Sequence, residues 1–179
     1  MNARPSIQPL LPRSEWSSHR NYPGQVLLFN AHQGFRRQSR DLIDAAESDG
    51  DHGRVGLHFT AWMGRMHSHE RYEERKLYPY LERRHGLDPA PLQEGHEALH
   101  AAQARVREAV LGNDRRALVA ALREHDRVLD EHLRLEEDMV IPRLLEMERA
   151  EFARYIDSSI DELLAEPGSA PPSGGPATL

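Results

Sequence analysis

Two stretches decide how this chain folds: HERYEERKLYP at residues 69–79 and HLRLEEDMVIP at residues 132–142. Both read His-x-x-x-Glu-Glu-x-x-x-x-Pro, and the match extends upstream. Phe59, Trp62 and Met66 precede His69 at the spacing with which Leu122, His125 and Leu129 precede His132. Residues i and i+4 of a helix lie one turn apart on the same face. His69 with Glu73, and His132 with Glu136, therefore project side by side from apolar stripes that continue to Leu77 and Val140. A second pair of stripes repeats as well: Leu28, His32, Phe35, Ser39, Leu42 and Ala46 correspond to Leu92, His96, Leu99, Gln103, Val106 and Val110. The chain is two helical hairpins of one pattern.

Breaks at Asp49–Gly53, His85–Pro89 and Gly112–Asp114 separate predicted helices near 24–48, 54–84, 89–111 and 114–147, with Asp88-Pro89 as a cap and first-turn pair. Helices of this length with short connections predict an all-α, up-down-up-down four-helix bundle over residues 24–147. Pro5, Pro9, Pro12 and Pro23 predict an irregular N-terminal arm over 1–23. A short fifth helix is expected within 148–165, with Phe152, Ile156, Ile160 and Leu163 on one side. The composition of 166–179 predicts a disordered tail. Pro79 and Pro142, inside helical pattern, are each expected to kink the chain.

Composition narrows the chemistry. A net charge of −6 with no basic stripe argues against a nucleic-acid partner. The absence of cysteine excludes disulfides, thiolate metal sites and thiol catalysis. No segment has the length and apolarity of a membrane span, and the first residues lack the apolar core of a secretion signal, so a cytoplasmic location is the expectation. Eleven histidines are the unusual feature.

One histidine on an apolar stripe is more often a hydrogen-bonded core residue than a ligand. Six ligand-type residues in register across two repeats are not independent. Burying two carboxylates together is costly, and a cation between them removes the cost. Imidazole nitrogen and carboxylate oxygen suit iron, ahead of zinc or manganese.

On these residues the chain resembles the hemerythrin-like, or HHE cation-binding, family, across about residues 24–147. The pattern of that family is a His on the first helix, HxxxE on the second, a His on the third and HxxxE on the fourth: here His32, His69 with Glu73, His96, and His132 with Glu136. The resemblance implies two iron ions with an oxo or hydroxo bridge, Glu73 and Glu136 bridging and the histidines capping. His100, one turn after His96, stands where oxygen carriers of the family have a fifth histidine and is expected to be a further ligand, although its repeat partner is Arg36. Five histidines on an octahedral iron pair would leave about one open position, suited to end-on O2; four would leave about two, suited to peroxide chemistry.

Other readings explain less. His96-Glu97-Ala98-Leu99-His100 matches the HExxH zinc protease pattern but leaves His32, His69 and His132 without a role. A ferritin-like di-iron site is built mainly of carboxylates, and this pattern is richer in histidine than that class. Trp62 is expected to pack, with a supporting hydrogen bond open to His125. His67 reads as solvated, Glu74 and Glu137 as salt-bridge formers, and Tyr72, Tyr78 and Tyr80 as packing residues.

The resulting expectation is a non-haem di-iron protein that binds O2, peroxide or nitric oxide, as a monomer or homodimer, in oxygen binding, sensing or peroxide detoxification. The alternatives are a di-iron oxidase, peroxidase or catalase acting on a small substrate, and an iron, redox or nitric-oxide sensor acting through a partner.

Overall fold

A computed structural model describes residues 10–48 and 51–165. The tail expected over 166–179 lies outside the described residues, as do residues 1–9 of the proline-rich start. The described chain is helical and, among the described residues, contains no strand: α1 Asn30–Glu47, α2 His52–Tyr72, α3 Tyr78–His85, α4 Ala90–Leu111, α5 Arg115–Glu146, α6 Arg149–Asp157 and α7 Ile160–Ala165. No described helix is long and apolar enough to cross a membrane.

Helix starts follow local chemistry. Asp51 Oδ1 accepts from the Gly53 N–H at 2.9 Å, and Asp114 Oδ1 accepts from those of Arg116 and Ala117 at 2.9 and 3.1 Å. Each satisfies donors that the first helical turn leaves open. Asp88 does the same for Ala90 at 3.1 Å, so α4 begins one residue after the expected Pro89. Gly86, with φ of 61°, ends α3 in the left-handed conformation that glycine adopts most easily.

The two in-helix prolines behave differently. Between α2 and α3, Glu73–Leu77 forms a π-helical turn in which the Tyr78 N–H reaches back to the Glu73 carbonyl. One extra residue in that turn accommodates Pro79, which has no N–H and whose ring would crowd the carbonyl four residues before it. By contrast, α5 runs through Pro142 without interruption. Only the first half of the expected symmetry of kinks is therefore realised as a change of helix type.

Helix α5 packs along both α1 and α4, and α2 lies against α1 and α4. Two apolar clusters fill the interior. One contains Phe35, Phe59, Trp62, Met66, Leu99 and Leu129; the other contains Phe29, Leu77, Tyr78, Leu92, Val140 and Leu144. The candidate ligands fall between them along each helix: His32 between Phe29 and Phe35, His69 between Met66 and Leu77, His96 between Leu92 and Leu99, and His132 between Leu129 and Val140.

The two ends add detail to what was expected of them. Within the irregular arm expected over 1–23, Arg13–Ser18 forms a 3-10 turn that buries Trp16. Asn21 is also buried and donates to the carbonyls of Leu145 and Met147 at 2.8 and 3.0 Å. The fifth helix is two helices, broken at Ser158–Ser159, where Glu162 accepts from both the Ser159 backbone N–H and its hydroxyl. The turn of α6 against α3 makes Tyr155 the buried residue and leaves Ile156 51% exposed.

Candidate metal centre

Four helical segments converge on one buried point. His32 comes from α1, His69 from the last turn of α2, Glu73 from the π-helical turn and Glu136 from α5, and each offers a ligand atom within 4.8 Å of the others. His32 Nε2 lies 3.0 Å from His69 Nε2 and 3.4 Å from Glu136 Oε2. His69 Nε2 is 2.7 Å from Glu73 Oε1. His96 and His132 close the far side, with Nε2 atoms 3.6 Å from Glu73 Oε2 and 3.9 Å from Glu136 Oε2 respectively, and their rings 4.6 Å apart. All six side chains are buried.

Apart from the His32–His69 contact between Nε2 atoms, these atoms converge without hydrogen-bonding one another. Among the described residues, all four carboxylate oxygens of Glu73 and Glu136, Nε2 of His96 and both ring nitrogens of His132 have no partner of hydrogen-bonding geometry. Buried polar atoms are seldom left unpaired, because each costs about 1–3 kcal/mol. A cluster of them pointing at one space, with nitrogen and oxygen donors and no thiolate, fits borderline cations such as iron.

The residues around the ligands fix their tautomers. His32 Nδ1 donates to Glu137 Oε1 at 3.1 Å, and His96 Nδ1 donates to Glu74 Oε1 at 2.9 Å. An ionised carboxylate only accepts, so each ring carries its proton on Nδ1 and turns the Nε2 lone pair inward. The duplication explains the pairing: the second Glu of each Glu-Glu doublet reaches across to the histidine of the other hairpin. Glu137 is in turn held by Arg36 Nη1 at 2.6 Å and Arg13 Nη1 at 2.9 Å. Burial opposes its charge, but hydrogen bonds from His32, Arg36 and Arg13 bring Glu137 down to about 2.

Electrostatics separate the two central carboxylates. Burial and the neighbouring Glu73 charge push Glu136 well above the usual carboxylate range. Glu73 is equally buried, yet His69 and His96 hold it below that range. Two such groups cannot both be charged without a cation between them. Burial, aided by His96, lowers His132 to about 3, so it stays a neutral donor. Tyr78 stacks on His96 at 5.9 Å, and burial together with Glu136 and Glu73 raises its phenol, which therefore keeps its proton.

Of the seven residues expected to bind metal, the structure brings six together. His100 stands apart: its side chain is 50% exposed and its Nε2 donates to Glu70 Oε2 at 2.9 Å. His125 makes no supporting hydrogen bond among the described residues and sits edge-to-face against Trp62 and Phe59, with burial lowering it to about 4. His67 is half-buried against Gln103. Gly95 carried no signal in periodicity, yet a Cβ there would lie 2.3 Å from His132 Nδ1. The doublets were the signal for Glu74 and Glu137, and their roles needed the geometry across the bundle.

Fold and centre together define a helical protein with a buried histidine–glutamate cation site. Residues 24–144 match the model of the hemerythrin HHE cation-binding domain, and the chain belongs to that family. No curated protein and no solved structure matches the chain.

Proposed function

We propose that this chain is a non-haem di-iron protein, built as an up-down-up-down four-helix bundle, that binds O2 or a reduced oxygen species. The observation that carries the reading is the convergence of ligand atoms from His32, His69, Glu73 and Glu136 on one buried point, where the carboxylate oxygens of Glu73 and Glu136 and the nitrogens of His96 and His132 that face them have no partner among the described residues. His32 and His69 would hold one ion and His96 and His132 the other, with Glu73 and Glu136 between them and an oxo or hydroxo group completing the bridge. When bound, the iron pair supplies two reducing equivalents at one place.

The chain's own residues do the rest. Glu137 and Glu74 hold the Nδ1 protons of His32 and His96 and keep both rings aimed inward. The two apolar clusters exclude bulk water from either side, and the Tyr78 hydroxyl keeps a proton beside Glu136. With His100 turned to Glu70, four imidazoles leave more of the coordination sphere to exogenous ligands than five would. That favours turnover of reduced oxygen species, as in peroxide detoxification, over reversible carriage of O2.

Metal analysis and Mössbauer spectroscopy of protein loaded with 57Fe(II), followed by optical spectra in air and with peroxide, test the proposal. Two coupled irons per chain and consumption of peroxide are expected. A single uncoupled iron, or none, would refute the dinuclear reading; a persistent oxygenated band with no peroxide consumption would favour a carrier.

A further inference from the structure

Beside the central site, on the outer faces of α2 and α4, lies a second group of ligand-type atoms. His67, Glu70 and His100 each offer one atom, and the three lie within 4.8 Å of one another. His67 and Glu70 are one turn apart on α2, and His100 faces them from α4, its ring perpendicular to that of His67 at 5.2 Å. The set is two imidazoles and one carboxylate, a donor combination that holds zinc and ferrous iron on three corners and leaves others open.

The group is more than a surface coincidence. Glu70 is 4% exposed, and its Oε1 is buried with no partner among the described residues. Gln103, also buried, accepts from His67 Nε2 at 2.9 Å through Oε1, while its amide nitrogen has no partner among them. A buried carboxylate held by one exposed imidazole, with its other oxygen unpaired, is costly for the metal-free protein. Ligand atoms around a tetrahedral ion at about 2.0–2.1 Å lie about 3.4 Å apart, so small rotations of the His67 and His100 rings close the set. Each ring then carries its proton on Nδ1 instead of Nε2. The remaining positions face a cavity of about 410 Å³, where Arg71 and Arg107 would suit an anion completing the coordination.

We infer that His67, Glu70 and His100 form a separate mononuclear site for a divalent transition cation, open to solvent and distinct from the buried centre. The site touches the centre through α2, where Glu74, one turn after Glu70, holds His96.

Zinc is the probe. Calorimetric titration of wild-type protein with Zn2+ should give one more ion per chain than H67A/H100A, and an anomalous map of zinc-soaked crystals should place that ion among the three residues. His32→Ala, which removes a ligand of the central site alone, should keep the additional ion, so failure of the di-iron reading and failure of this one are distinguishable. Equal zinc stoichiometry in wild type and H67A/H100A would overturn the inference. So would H67A behaving as wild type while H100A loses metal from the centre, since His100 would then be a ligand of the buried site.

Discussion

Gly95 leaves open the space that the His132 ring fills: a methyl group on Gly95 would stand 2.3 Å from Nδ1 of the histidine. Helix α4 approaches α5 closely at this point only because residue 95 has no side chain, and the imidazole fills the slot. Gly95→Ala should therefore displace His132. Helix propensity alone would favour alanine by about 0.8–1.0 kcal/mol, whereas overpacking of a tight interior costs about 1–3 kcal/mol. The expected outcome is a loss of bound iron with little or no gain in the stability of the metal-free protein. Full iron occupancy in this variant would show that His132 is not held by the slot.

Glu137 and Glu74 do equivalent work in unequal surroundings. The Glu137 side chain is 7% exposed and clamped by two arginines, while that of Glu74 is 44% exposed. Groups that orient a metal-bound histidine typically contribute 10–100-fold to metal affinity. Glu137→Ala should fall toward the upper part of that range, because it also leaves Arg36 without one of its two carboxylates. Glu74→Ala should fall toward the lower part, since water can replace an exposed carboxylate. Competition of each variant with a ferrous chelator measures the difference, and the reverse order would contradict the argument.

Much of this candidate centre was legible from residue spacing because its candidate ligands repeat. A duplicated pattern gives every ligand helix a partner in register, and that register named His32, His69, Glu73, His96, His132 and Glu136. His100 stood out because it is one turn from His96, but α4 turns it outward onto Glu70. Periodicity specifies a face of a helix to within one residue step of about 100°, and His100 lies at the edge of the buried face. The π-helical turn before Pro79 and the break at Ser158 were not legible, since both depend on how a helix meets its neighbours. Gly95 was invisible because a missing side chain has a role only once the opposing residue is known.

Metal should stabilise this fold more as the pH rises. In the metal-free protein, burial and the charge on Glu73 raise the Glu136 carboxyl above its unfolded value of 4.5. The folded state then holds more protons than the unfolded one above that value, and stability falls as the pH increases through the window. A divalent cation between the two carboxylates removes this penalty and also competes with the proton. Thermal denaturation of chelator-stripped and reloaded protein should show a gap in Tm that widens from pH 5 to pH 8. At a free metal concentration 1,000-fold above Kd the gap corresponds to about 4 kcal/mol. A gap independent of pH would mean that the cation does not sit between Glu73 and Glu136.

His125 offers a test of the interior that is independent of metal. It is fully buried against Trp62 and Phe59, neither ring nitrogen has a partner among the described residues, and burial lowers it from 6.5 to about 4. Here the folded value lies below the unfolded one. The unfolded chain therefore binds the extra proton first as the pH drops, and the folded state loses stability between about 6.5 and 4. His125→Phe keeps the ring and removes both nitrogens. In metal-free protein it should be more stable than wild type by about 1–3 kcal/mol at pH 7.5, the cost of buried unpaired polar atoms. At pH 4.5 its advantage should grow by a further 2–3 kcal/mol, roughly 1.36 kcal/mol for each unit of the window crossed. Urea unfolding at the two pH values gives both numbers. Parallel curves for the two proteins would mean that water or a neighbouring group reaches His125, and that the apolar box formed by Phe59 and Trp62 is not closed.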